Sequence, residues 1–389
     1  MQFSHQPLTL DHVLGRARRE AQYEDFGTTQ FMPQLRKMVE ALNSILPQLH
    51  DKGRRGIEDR IVRLLVNRLR MRRDILAHPE ILREEILPPA AIIGLPRTGS
   101  TKLQRLLASG RGLHELPMWQ AFNPAPIPGP LINGRDPRLQ AATEFVQWMA
   151  ADAADAHKGH TMVVEGAEEE HHLLEQSFAT PSPISFVPIY EFCHYIELLD
   201  KTEMYAHMRV CLQYLQWQFH REEHKSWLLK YPANLGNETY IDRNFPGTQY
   251  IVTHRDPWPV MASLAKLNAE IHRLHCHSPD IQRFSQWGLR EFGLEMDRHL
   301  AWREANPQVR ILDVSFKDIV KDGFGTARRI YDFLGLPWNP EVEAAVRAWI
   351  EEDARTHDRL LWSIEDLAYT EAECRERFRD YIERYSAYF

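Results

Sequence analysis

The sequence predicts an α/β fold: a parallel sheet flanked by helices, with an N-terminal helical extension. Three observations carry that prediction. Residues 8 to about 88 show helical spacing of apolar side chains and nothing else. At residue 90 the pattern changes to a short apolar run, Ala90-Ala91-Ile92-Ile93, closed by Gly94 and followed by a helix-like segment. Further short apolar runs, separated by helix-like stretches, recur to residue 314. Strands alternating with helices build a parallel sheet covered on both faces, and ligands then sit at the carboxyl ends of its strands.

In chain order, Leu35, Met38, Val39, Leu42, Ile45 and Leu46 recur at helical spacing, as do Ile61, Leu64, Leu65, Leu69 and Leu76. The second set lies in a strongly basic run, RIVRLLVNRLRMRR. The expectation is an amphipathic helix whose basic face is solvated rather than one bound to membrane or nucleic acid. The strand at 90–93 leads to a helix from about Ser100, with Leu103, Leu106 and Leu107 on one face. Pro117, Pro124, Pro126, Pro128 and Pro130 predict a long irregular loop over 117–136. Trp227-Leu228-Leu229, Tyr250–Thr253 and Val309–Val314 are the remaining strands. The division expected is a helical extension over 1–88 and an α/β domain over 89–389.

With 389 residues, the chain is long enough for one large α/β domain with an extension. Its net charge of −7 weighs against bulk nucleic-acid binding, while a local basic pocket for a small anion remains compatible with it. Cys193, Cys211, Cys276 and Cys374 are scattered without a CxxC pair, which points to reduced thiols and a cytoplasmic location. The first residues lack a signal-peptide core, and no uncharged apolar run approaches ~18 residues, so no membrane span is expected.

The strongest chemistry lies in Gly94-Leu95-Pro96-Arg97-Thr98-Gly99-Ser100-Thr101. Two glycines separated by four residues, between a strand and a helix, match P-loop spacing. Glycine lets successive N–H groups turn inward, and the helix start adds unsatisfied donors. Ser100 and Thr101 offer hydroxyls. An ATPase loop places lysine directly after the second glycine; here that residue is Ser100. The basic residue is Arg97, and Lys102 follows on the helix. The loop suits a phosphate-like group without suiting the usual Mg-nucleotide triphosphate chemistry.

A second anion site is expected where Tyr250–Thr253 ends, in His254-Arg255-Asp256-Pro257. Arg255 at the strand end and Ser263, eight residues on along a helix, can grip one phosphate together. Asp256 is expected to cap that helix. Two anion sites on neighbouring strand ends suit a nucleotide with phosphates at its 5′ and 3′ positions.

These residues resemble the superfamily of sulfotransferases that use 3′-phosphoadenosine 5′-phosphosulfate (PAPS), and most closely its bacterial branch with a helical N-terminal extension. GLPRTGST is similar to the family's 5′-phosphosulfate loop, and HRDPWPVMAS to its 3′-phosphate motif. Phe316-Lys317-Asp318-Ile319 and the segment from Arg329 to Pro337 resemble that branch's C-terminal half. The resemblance covers about residues 20 to 385. It implies PAPS as co-substrate, held by Arg97, Thr98, Gly99, Ser100, Thr101, Lys102, Arg255 and Ser263. It also implies sulfuryl transfer to a hydroxyl or amine of a small organic acceptor. Asn234 departs from it, since many relatives carry histidine there; if that histidine is the usual proton acceptor, this chain needs another. The family's glycine-and-lysine loop over the 3′-phosphate is not recognisable; Arg355, His357 and Arg359 lie where a substitute would.

Sulfuryl transfer needs cations on the leaving phosphate, for which Arg97 and Lys230 are the candidates, and a base for the acceptor proton. The segment Glu165–Leu174 is rich in such groups. Glu169 is the expected base, with His171 and Glu170 in reserve, while acidic residues in a first helical turn also have a purely structural use. Crowded carboxylates raise one another's pKa, which suits a base. His171-His172 lacks HExxH spacing, and the His272–His277 run has no distant partner pair, so no metal is predicted. Met118, Trp119, Phe122 and Ile127, with Tyr231, His254 and Trp258, are candidates for an acceptor pocket. Oligomeric state is not readable, although the basic N-terminal helices leave a homo-oligomer open by offering a surface for a second copy. Three alternatives stay open: a P-loop kinase or NTPase, a non-catalytic nucleotide-binding relative, and an enzyme that sulfates its substrate to trigger elimination or rearrangement.

Overall fold

A computed structural model describes residues 6–152, 161–356 and 367–389. Three helices open the chain: α1 (Leu10–Ala21), α2 (Met32–Ser44) and α3 (Asp51–Ala77). Thr9 caps α1, its hydroxyl accepting from the His12 N–H at 3.2 Å. Leu35, Met38, Ile57, Ile61 and Leu65 share one apolar cluster with Phe178, Phe192, Leu264 and Phe284. The N-terminal helices therefore pack directly against later parts of the chain.

The basic run of α3 does not form the solvated face expected. Arg68 is only 6% exposed. Arg60, Arg63 and Arg68 lie flat on the rings of Phe186, Phe122 and Phe31, at 4.0, 3.8 and 4.2 Å. The reason is that α3 is enclosed by α1 on one side and by later segments on the other. A guanidinium is flat and weakly hydrated enough to be buried that way.

Among the described residues, four strands form one parallel sheet: β1 (Ala90–Gly94), β2 (Leu228–Lys230), β3 (Gln249–His254) and β4 (Ile311–Ser315), in the order β2-β1-β3-β4. Ile92 is in register with Lys230, and Gly94 with Thr253. Alternate β1 residues enter different clusters: Ala91 and Ile93 face one core, Ala90 and Ile92 the other. That is the period-2 signature of a strand buried on both faces. Helix α4 (Ser100–Ser109) covers the Ile92 face with Leu103, Leu106 and Leu107. The proline-rich stretch is less irregular than expected. Pro117 starts a short helix, α5 (Met118–Phe122), and α6 (Pro137–Asp152) follows.

From β1 the chain runs outward to β2, and from β3 it runs the opposite way to β4. The crevice between the carboxyl ends of β1 and β3 is therefore the topological switch point, where open α/β sheets bind ligands. Among the described residues no helix is long and apolar enough to cross a membrane.

Candidate active site

The loop after β1 is built around two glycines. Gly94 has φ +141°, and a Cβ there would stand 2.5 Å from the Thr253 carbonyl oxygen. Gly99, the residue before α4, has φ +83°, a left-handed conformation that side chains rarely adopt. Arg97 itself has φ +66°, a strained geometry for a non-glycine residue that surrounding bonds must hold. Those bonds tie the loop to β3. The Thr98 and Thr253 hydroxyls are 2.6 Å apart, and the Thr98 hydroxyl also donates to the Leu95 carbonyl at 2.7 Å. Thr98 is fully buried, so its hydroxyl serves the loop's shape.

The two predicted anion sites meet at the switch point. Arg97 Nε donates to Ser263 Oγ at 3.1 Å, and Arg255 Nη1 donates to the Arg97 carbonyl at 2.8 Å. Asp256 caps the following helix as expected, accepting from the Trp258 N–H at 3.0 Å. Burial first, then the neighbouring Arg255 charge, pulls the Arg97 guanidinium down to about 10, with Glu169 acting the other way. Burial likewise lowers Arg255, opposed by Asp256. Two desolvated cations side by side are what a bound anion would relieve. Phe316 lies beneath both sites: the Arg255 guanidinium stacks on its ring at 4.1 Å, and a Cβ on Gly99 would reach it at 3.0 Å. Its place just after β4 gave no periodic signal of this.

The end of β2 adds a third cation. Lys230 has the strand parity of Leu228, which faces α4's side of the sheet. Its buried Nζ donates to Thr101 Oγ1 at 3.0 Å and pairs with Glu169 Oε1. Glu169 Oε2 lies 3.4 Å from His171 Nδ1, an ion-pair distance without hydrogen-bond alignment. The backbone of the preceding residue fixes Glu169 in place. The Glu168 N–H donates to the Leu116 carbonyl, and the Glu168 carbonyl accepts from Gln104, both at 2.9 Å.

Glu170 is used differently. It accepts from the Lys230 backbone N–H at 2.7 Å and from Asn234 Nδ2 at 2.6 Å. Asn234 in turn accepts from the Tyr205 hydroxyl at 2.8 Å. Burial raises the Glu170 pKa, and both its oxygens are committed to holding the turn after β2. Asn234 is thus part of that scaffold.

Other predicted residues fall elsewhere. Lys102 turns away from the loop to pair with Asp353 at 2.6 Å. Ser100 is buried at the start of α4. His254 is sequestered between Asp313, at 2.8 Å, and the Tyr381 hydroxyl, at 3.2 Å. Tyr231 does lie close by, its ring 5.7 Å from His171. Arg355 is exposed and paired with Glu352 at 2.6 Å; His357 and Arg359 fall outside the described residues. The His272–His277 run does not converge, since His272 bonds the Ile184 carbonyl at 2.7 Å. Among the described residues, the group of potential ligands within 4.8 Å of one another is instead His114, His220 and Glu223.

Comparison with known proteins gives the family and the fold. The chain is 24% identical over 262 residues to omega-hydroxy-beta-dihydromenaquinone-9 sulfotransferase Stf3 of Mycobacterium bovis and of Mycobacterium tuberculosis. That alignment covers 64% of this chain and 63% of those relatives' length. The fold matches sulfotransferase STF9 from Mycobacterium avium with a TM-score of 0.84, at 24% identity over 99% of this chain and 98% of that one. Sulfotransferase STF1 from Mycobacterium tuberculosis matches with a TM-score of 0.77, at 24% identity over 97% of this chain and 100% of that one. The model of the sulfotransferase family matches residues 88–340, more than half of the chain and the stretch that contains the loops after β1 and β3, Glu169 and Lys230, so the protein belongs to the sulfotransferase family.

Proposed function

We propose that the protein transfers a sulfuryl group from PAPS to a hydroxyl or amine of a small organic acceptor. The observation that carries this is the junction of Arg97 with Ser263 and Arg255 at the switch point, beside the buried Lys230–Glu169 pair. In the reaction the acceptor oxygen bonds to sulfur, the bond from sulfur to the phosphate oxygen breaks, and the acceptor proton must leave. The loop amides around Gly99 and the Arg97 guanidinium would hold the 5′-phosphosulfate, and Arg255 with Ser263 the 3′-phosphate. Lys230 supplies charge where the leaving phosphate becomes more negative.

Glu169 is the base this geometry favours. It faces Lys230 and the start of α4, whereas Glu170 and Asn234 are held within the scaffold. His171 is near enough to Glu169 to take the proton onward. The Stf3 relatives are named for a hydroxylated compound, which favours a hydroxyl acceptor. A MgATP reaction fits less well, because Ser100 follows Gly99 and Lys102 is engaged with Asp353. The inward turn of α3's arginines and the net charge of −7 favour a small molecule over a nucleic acid. Four buried free thiols suit the cytoplasm.

Calorimetric titration with 3′-phosphoadenosine 5′-phosphate (PAP) and with MgATP tests the donor assignment. Micromolar PAP binding with weaker MgATP binding is expected. Tighter MgATP binding would overturn the assignment in favour of the kinase reading.

A further inference from the structure

A cavity of about 370 Å³ opens between α3, α5 and α6, within the size range of small-molecule sites. Its apolar walls are Phe122, Phe145, Trp148 and Phe186. Its charged lining is Lys52, Arg55, Arg60 and Arg63 against Asp59 alone. Most of these charges are already matched: Lys52 pairs with Asp152, Arg60 with the buried Glu175, and Asp59 with Arg16. Arg63 differs. Its Nη1 donates to the Phe122 carbonyl and its guanidinium lies 3.8 Å over the Phe122 ring. Its buried Nη2 has no hydrogen-bond partner, and among the described residues no carboxylate pairs with it. Burial first, then the Arg60 charge, brings its pKa down to about 9, with Glu175 opposing. A desolvated guanidinium without a carboxylate is costly, and an anionic group drawn to Arg63 from the cavity would offset that cost.

A chain of rings leads from the cavity toward the catalytic groups. Phe122 meets the His172 ring edge-on at 5.8 Å, and the His172 and His171 rings are 3.9 Å apart. His171 Nδ1 then lies 3.4 Å from Glu169. Resting on the sulfuryl-transfer reading, we propose that the acceptor is an organic anion. Its flat or aromatic body would lie among Phe122, Phe145 and Trp148, its acidic group would sit at Arg63, and its hydroxyl would point toward the Glu169 side of Phe122.

The test is binding of 4-hydroxyphenylacetate and of its neutral amide to the PAP-saturated protein, in wild type, Arg63→Met and Arg63→Lys. The wild type is expected to bind the acid about tenfold more tightly than the amide. Arg63→Met is expected to lose that preference while keeping its affinity for the amide. Arg63→Lys, which keeps the charge but not the fork, is expected to fall between the two. It also serves if the methionine variant fails to fold. Equal binding of acid and amide by the wild type, binding of neither, or an equal loss for both in the variants would overturn the inference. The PAP titration is a separate arm. Failure to bind PAP defeats the sulfuryl-transfer reading, whereas PAP binding without preference for the acid defeats only the anionic acceptor.

Discussion

Replacing Glu169 with glutamine keeps the side chain's shape and removes its charge. Lys230 is wholly buried and the Glu169 carboxylate is only 13% exposed, so Lys230 loses the partner of an enclosed ion pair. Breaking such pairs costs about 3–5 kcal/mol. The partial exposure of Glu169 and the surviving Thr101 bond put this case near the lower end, about 3 kcal/mol. Loss of a general base costs ~10²–10⁴ in rate, which is about 3–5 kcal/mol of barrier. The two effects separate by choice of acceptor. Phenol must shed a proton during transfer, whereas 4-nitrophenol at mildly alkaline pH is already ionised. With PAPS as donor and PAP release as the readout, Glu169→Gln is expected to slow phenol sulfation by ~10²-fold or more and 4-nitrophenol sulfation far less. Lys230→Met, which acts on the leaving phosphate, is expected to slow both alike. PAP affinity in Glu169→Gln is expected to stay within a few-fold of wild type. Equal losses for the two phenols would mean that Glu169 acts only by holding Lys230. Full activity would move the base elsewhere.

Arg255→Ala removes a guanidinium that also fixes the Arg97 carbonyl, and calorimetry is expected to show PAP binding weakened ~100-fold or lost. Lys102→Ala is expected to change PAP affinity less than about twofold, because that ammonium faces Asp353; a loss resembling that of Arg255→Ala would show that Lys102 swings to the donor. Gly99→Ala sets a Cβ at φ +83° against Phe316 and is expected to cost about 1–2 kcal/mol in denaturant melts while weakening PAP binding. Unchanged stability there would contradict the loop geometry. Burial holds His272 near 4, and burial with the Arg60 charge holds His275 near 3. The unfolded chain takes up these protons below about 6.5, where the folded chain refuses them. Stability is therefore full above that pH and lost as pH falls, by about 2 kcal/mol per histidine at pH 5. Calorimetric melting temperatures are expected to drop by several degrees between pH 7 and pH 5; a flat profile would contradict the buried neutral imidazoles.

The fold was legible because its strands are short, apolar and followed by turns, so the change of period at Ala90 and again at Tyr250 marks buried parallel strands. The proposed anion loops stand out in the sequence because glycine spacing and hydroxyls have few other uses between a strand and a helix. Direction within a helix was harder. Lys102 lies on α4 two residues past Ser100, and only the packing of the Pro340–Thr356 helix against α4 decides that it meets Asp353. The arginines of α3 carried a misleading signal. Charge pattern alone reads them as solvated, while their burial depends on Phe31, Phe122 and Phe186, which are distant in sequence.

Adjacent glutamates show most clearly where local pattern stops. Glu169 and Glu170 have the same chemistry and neighbouring positions, yet one faces the Lys230 ammonium and the other the Lys230 backbone. Consecutive residues in a tight turn point different ways, and which one reaches the site depends on the register of β2 beside β1. That register also brings one cation from each of three strand ends: Arg97 after β1, Lys230 at the end of β2 and Arg255 after β3. Each alone is an unremarkable basic residue. Together they create a positive potential that Glu169, paired with Lys230 and felt by Arg97, partly balances. A polyanionic donor entering that potential would strengthen the hold on both of its ends and compete with Glu169 for Lys230. Donor binding would then loosen the carboxylate from its ion pair as the acceptor proton needs it. The Lys230→Met variant then carries a Glu169 already free of its ammonium, so the ratio of its phenol and 4-nitrophenol rates is expected to match the wild type's, and a shifted ratio would refute this coupling.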